Sequence, residues 1–192
     1  MKKTIVLLLS VLLLVTALSA CGGSKSWTGK HTVEITIKDY GTIKVDIDAD
    51  TAPVTASNFL NLVKKGFYNN LTIYRAIDGF AIYGGDPNKN GTGTSGETIT
   101  GEFNSNGYNN PLSNVRGAFG MARGINKNSA SCQFYILQND ATYLDGDFAV
   151  FGNVISGMEI VDLIASTAQV TGSDGHITVD NQPVISSIKL AD

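Results

Sequence analysis

GFYNNLTIYRAIDGFAIYGGDP, Gly66 to Pro87, sets one arginine, Arg75, among apolar and aromatic residues. In strand phasing Arg75 points to the same side as Ile73 and Ile77, so a charged side chain shares a face with two that are usually buried. Such a face reads as a groove. Phe80, Ala81 and Ile82 follow, and Gly84-Gly85-Asp86-Pro87 turns the chain, bringing an apolar patch within a few residues of a fixed positive charge. The plainer alternative is a surface strand whose arginine pairs with a carboxylate.

Upstream, Val33, Ile35 and Ile37 alternate with polar residues, and after Asp39-Tyr40-Gly41 the pattern resumes with Ile43, Val45 and Ile47, a β-hairpin with one face buried. Pro53 then suits the first turn of a helix. Ala56, Phe59, Leu60 and Val63 recur at helical spacing, with Gly66 as the stop. Downstream, the Gly and Asn concentration from Gly84 to Asn110 reads as a long ordered loop. Strands are expected at Phe119–Met121, Gln133–Leu137, Ala149–Val154 and Val184–Leu190. A second helix carries Ile160, Val161 and Ile164, with Ser156 and Glu159 spaced as a capping box. Many short strands and two helices predict a mainly β, antiparallel barrel.

The ends bound the cellular setting. Lys2 and Lys3 precede an apolar run from Ile5 to Leu18 that closes in Leu18-Ser19-Ala20-Cys21, which reads as an export signal over residues 1–20. A retained membrane anchor is the alternative, but the run is shorter than the ~20 apolar residues of a spanning helix. Without the signal the formal charge moves from −3 to about −5, and three arginines in all give no basic face for nucleic acid. Cys132, in SCQFYIL, reads as a small core hydrophobe.

Five motifs in order, GFY…YRAI.GF…GGDP, GTGTSGE, GAFGMAR, SASCQFYI and LDGDFAVFG, resemble the cyclophilin family of peptidyl-prolyl cis-trans isomerases from about Val33 to Leu190. The resemblance implies a closed eight-stranded barrel with a helix capping each end and the groove on its outer face. Residues 31–192 would form that domain. Leu-Ser-Ala-Cys resembles a lipoprotein signal, which implies a lipid on Cys21, a flexible tether over residues 21–30 and a protein held to the outer face of a bacterial membrane.

The residues suit that chemistry and few others. His31 and His176 have no catalytic setting visible in sequence, and nucleophile elbow, Walker loop and Cys/His clusters are all missing from it. Prolyl isomerisation needs none of these, and no cofactor. By resemblance Arg75 is the donor to the prolyl nitrogen, Phe80, Ala81, Tyr135 and Leu144 form the proline pocket, and Gln133 belongs to the groove. Ala122 and Arg123 fall on the segment whose backbone pairs with substrate, and Gly91 and Gly93 fall on the rim.

Four positions depart from the family's best-known pattern. Tyr83 replaces a glutamine that supports the arginine, Ala81 a methionine, Tyr143 a tryptophan and Phe148 a histidine. These predict a groove with no histidine to titrate and a preference for apolar residues beside proline, in substrates that are proline-containing polypeptides. A monomer is expected, and the competing class is a peptide-binding module with little turnover. Asp86 to Glu97 also satisfies a calcium-loop spacing, D-x-[DN]-x-[DN]-G with Glu at position twelve, but it lacks flanking helices and overlaps the family's GGDP…GTG loop, so no metal is assigned.

Overall fold

The computed structural model describes residues 25–191; the export signal and Cys21 lie outside the described residues. The alternating N-terminal segment forms β1 (Lys30–Ile37) and β2 (Gly41–Asp48), paired from Lys30 with Asp48 to Ile37 with Gly41. Val33, Ile35 and Ile37 face inward with Ile43, Val45 and Ile47, every one buried. Helix α1 (Pro53–Lys64) follows, with Pro53 as its first residue. Its N-terminal amides are capped from a distance: Glu102 accepts Val54 N–H and, on its other oxygen, Thr55 N–H and the Thr55 hydroxyl. A carboxylate at a helix N-terminus satisfies orphan donors and meets the positive end of the helix dipole.

Strands β3 (Ile73–Ile77) and β4 (Ala81–Gly84) form a hairpin, followed by the long loop and then β5 (Ala118–Met121), β6 (Phe134–Leu137) and β7 (Val150–Ser156). Helix α2 (Met158–Thr167) begins at Gly157, whose φ of 90° is a left-handed conformation, and no side chain caps it. The expected capping box is therefore corrected: Ser156 ends β7. A Cβ at 157 would lie 2.8 Å from the Thr42 carbonyl oxygen, so the close turn takes the place of a cap. Two-residue strands β8 (Val170–Thr171) and β9 (His176–Ile177) precede β10 (Ile185–Leu190).

All ladders are antiparallel and run β10-β1-β2-β7-β5-β6-β4-β3-β9-β8. This corrects the closed eight-stranded barrel: the sheet has ten strands and is open. Between β10 and the residues before β3 there is a single bridge, Thr72 with Val184. Pro183, which has no N–H to donate, and Asn70, at a φ of 65°, stop a ladder from extending there. The two added strands are a hairpin too short and too polar to leave a strand pattern.

The core centres on Phe59 of α1, whose ring lies 5.1 Å from those of Tyr68 and Phe119 and 5.4 Å from Phe151. Cys132 is free and fully buried among these residues. A second, smaller apolar cluster, with Ala81, Ala118, Tyr135, Leu137 and Val150 at its centre, lies under the groove.

Candidate active site

Neighbouring strands β9, β3, β4, β6 and β5 place His176, Arg75, Tyr83, Tyr135 and Gly120 in one cross-strand row. The row works because its members differ in height. A Cβ on Gly120 would meet the Tyr135 ring at 2.1 Å, so the glycine lets that ring lie flat on β5. Tyr83 follows, 6.1 Å from Tyr135 between centroids, and the Arg75 guanidinium carbon stands 4.8 Å from the Tyr83 ring centre. This is a cation–π contact. Tyr83 thus supports Arg75 by stacking, while Arg75 Nε donates to the carbonyl of Asp174 at 2.6 Å.

Strand phasing alone misplaces one neighbour of Arg75. A bulge between Ile73 and Arg75 breaks the register, so Ile73 is buried in the core and Tyr74 reaches the groove beside Arg75. Bulges re-aim side chains in this way. The Tyr74 hydroxyl donates to Gln133 Oε1 at 2.6 Å, and Gln133 Nε2 donates to the carbonyls of Gly93 at 2.8 Å and Gly91 at 3.2 Å. Both ends of the Gln133 amide are therefore engaged in holding the glycine rim to the strands.

Two connected hollows result. An apolar one of about 170 Å³ is lined by Phe80, Tyr83, Ala122, Tyr135, Leu144 and Phe148, with Arg75 and Arg123 at its edge. A polar one of about 430 Å³ continues past Gly91, Gly93, Gln133 and His176. Arg75, Tyr83, Ala122 and Arg123 border both. Ala81 is placed otherwise, fully buried beneath the floor, and Tyr143 stands 75% exposed outside both linings.

His176 corrects the expectation of a groove without histidine. Its ring lines the polar hollow 5.9 Å from Tyr74, with Nε2 3.7 Å from the Asp174 carboxylate. Sequence offered no signal for it, because the turn at Gly172–Gly175 joins it to Arg75 across a hundred residues.

Burial sets the chemistry of the phenols. It pushes Tyr135 and Tyr74 far above the ordinary tyrosine value, and raises Tyr83 too, where the Arg75 charge pulls the other way. All three stay neutral, and the Tyr74 and Tyr135 hydroxyls act as donors. Tyr135 donates to Asn114 Oδ1 at 2.6 Å, and Asn114 donates from its backbone and side chain to Asp145 Oδ1. Neither Asn114 nor Asp145 was foreseen.

The calcium-loop spacing resolves into hydrogen bonding. Asp86 is fully buried and accepts the backbone N–H groups of Asn88, Asn90 and Gly91. Inward amides oppose a cation. A Cβ on Gly93 would sit 2.0 Å from Asp86 Oδ1, so this glycine is fixed by packing. Among the described residues no cluster of three or more His, Cys, Asp or Glu could hold a metal.

Residues 32–190 match the family described as cyclophilin type peptidyl-prolyl cis-trans isomerase/CLD. The chain belongs to this family of isomerases. It is 38% identical over 152 residues to a peptidyl-prolyl cis-trans isomerase of Acinetobacter baylyi, covering 76% of this chain and 78% of that one. It is 37% identical over 158 residues to peptidyl-prolyl cis-trans isomerase B of Escherichia coli, covering 77% and 92%. A crystal structure of a Cryptosporidium parvum cyclophilin type isomerase superposes with a TM-score of 0.74 at 27% identity, over 85% of this chain and 98% of that one. That isomerase was also crystallised in the presence of the dipeptide Ala-Pro, and this second structure matches with a TM-score of 0.72.

Proposed function

We propose that this isomerase acts on exported proline-containing polypeptides as a monomer held to the outer face of a cell membrane by lipid on Cys21. The observation that carries the catalytic reading is the setting of Arg75. Its Nε is fixed by a backbone carbonyl, its face rests on Tyr83, and among the described residues its terminal nitrogens donate to no protein group. These donors border a small apolar hollow of a size to take a proline ring.

The barrier to rotation, ~18–20 kcal/mol, comes from amide resonance, which is lost as the C–N bond twists. A catalyst therefore has to hold the twisted amide better than the planar one. With the ring between Phe80, Tyr135, Leu144 and Phe148, an Arg75 N–H donates to the prolyl nitrogen as its lone pair localises. The planar amide offers no such lone pair, so this hydrogen bond strengthens only on the way to the transition state. No covalent bond is made or broken and no proton is transferred.

A refolding reaction limited by proline isomerisation tests the activity. Wild type accelerates it and Arg75→Ala does not; absence of acceleration by wild type supports the binding-module alternative. Location rests on the basic start, the apolar run and Leu18-Ser19-Ala20-Cys21. Mass spectrometry of the mature N-terminus is expected to find a lipid-modified Cys21, and an unmodified cysteine there would refute the anchor.

A further inference from the structure

We infer that the groove selects polypeptides with an anionic residue next to the proline, and that Arg123 is the residue that reads it; this rests on the isomerase reading above. The starting point is where charges are balanced. Of the three arginines, Arg116 lies against a carboxylate, with Nη2 2.7 Å from Asp162, whereas among the described residues neither Arg75 nor Arg123 has a carboxylate within 4 Å. Both border the groove. The two hollows are lined by these arginines and His176 and by no aspartate or glutamate, in a chain whose formal charge is −3.

Arg123 is held firmly without being neutralised. Its Nε and Nη2 donate to the Asp147 carbonyl at 3.0 and 2.9 Å, and Nη1 donates to the Gly124 carbonyl at 2.9 Å. Its guanidinium carbon lies 4.7 Å from the Phe148 ring centre and 5.1 Å from that of Phe103. Carbonyl dipoles and ring faces fix its position but carry no net charge. The nearby carboxylates are occupied elsewhere: Asp147 accepts the Ser105 hydroxyl, Asp145 is bound by Ser113 and Asn114, and Asp174 stands beside His176. Asp86 is buried under the rim with its oxygens on backbone amides.

A cation already ordered in the free protein gives up little conformational freedom when a carboxylate arrives, so its charge acts on affinity and on encounter. Arg75, which borders the same two hollows, adds to the same field. This reverses the sequence-based preference for apolar flanks: Phe148 contributes its ring to the hollow and also serves as the surface on which a charge is mounted.

The test uses otherwise identical peptides with Glu, Gln or Lys placed directly before or after proline. In at least one of the two placements wild type is expected to favour Glu over Lys by about fivefold in kcat/KM at low salt, chiefly through KM, with Gln between. Near 1 M salt, where the screening length is about 3 Å, the ratio moves towards one. Arg123→Gln should shrink the ratio at low salt by more than half, and Arg123→Lys, which keeps the charge but not the forked hydrogen bonds, should retain it. Equal rates with Glu and Lys in both placements, a ratio undiminished in Arg123→Gln, or equal loss in the Lys variant would each overturn the inference. Turnover of the Gln peptide without charge preference leaves the isomerase reading standing; no turnover of any peptide removes both.

Discussion

Arg75 Nε donates to the carbonyl oxygen of Asp174 at 2.6 Å, and next to it Ala76 N–H donates to the carbonyl of Gly175 at 2.9 Å. The supporting glutamine expected by resemblance is replaced by two contacts, the Tyr83 ring below and a backbone carbonyl of the β8–β9 turn beside. A carbonyl can be moved only by moving the turn. Gly175, at a φ of 78°, gives that opportunity, because an added Cβ would lie 2.5 Å from the Ala76 carbonyl oxygen. Gly175→Ala is therefore expected to lower kcat about ten- to hundredfold, the scale of a 1 Å misplacement, with KM little changed. If the turn acts through Arg75, the loss vanishes in an Arg75→Ala background; additive losses in the double variant would show a general structural effect.

Tyr135→Phe removes one atom from beneath the pocket. Asn114 is fully buried, and its Oδ1 loses the 2.6 Å hydrogen bond from that phenol. A buried acceptor left unpaired costs about 1–3 kcal/mol, and for a chain of this size Tm falls by about 2–4 °C per kcal/mol. Calorimetry on the soluble domain checks it. An unchanged Tm would mean that solvent replaces the tyrosine.

These two networks mark the boundary of what was legible in the chain. Arg75, Phe80, Tyr83, Tyr135, Leu144 and Phe148 lie in motifs whose order and apolar patterning survive in sequence, and the structure gathers them around one hollow. Buried strands and both helices were readable for the same reason, since alternation and helical spacing are local. His176 and Asp174 reach Arg75 only through a long-range pairing of two-residue strands, which have no periodicity to read. Asn114, Asp145 and Glu102 sit in polar loops, where a ligand of a helix end or of a phenol looks like any other solvated residue. Ala81 and Tyr143 show the converse: their positions were inferred from motif, but one lies beneath the floor and the other in solvent.

Acid should loosen the pocket through Asp145. Burial alone would raise its pKa, but hydrogen bonds from the Ser113 hydroxyl and from the Asn114 backbone and side chain outweigh it, and the net result is a lowered value. With the folded value below the unfolded one, about 3.9, the stabilisation is present above pH 4 and is lost as pH falls through the folded value. Denaturant titrations from about pH 5 to pH 2 are expected to show this loss in wild type and a shallower one in Asp145→Asn. Identical slopes would assign the acid sensitivity to other carboxylates, such as Asp162, which Arg116 also holds low.

Alkali should act first through Cys132. Its thiol is fully buried, and burial, only partly offset by the Ser131 hydrogen bond, pushes it up to about 11. An unfolded cysteine titrates near 8.5, so the native state keeps a proton that the unfolded state has released. The associated stability is complete below about pH 8.5 and falls as pH rises towards 11, beginning below the range where the buried tyrosines contribute. In a soluble form beginning after Cys21, stability between pH 8.5 and 10 is expected to decline in wild type and to decline less in Cys132→Ala. The same burial makes the native thiol unreactive, because attack requires a thiolate in contact with the reagent. A thiol reagent at pH 8 should label the protein at the rate at which the structure opens, accelerating only as denaturant is added. Rapid stoichiometric labelling of the native protein would show that Cys132 is neither buried nor protonated.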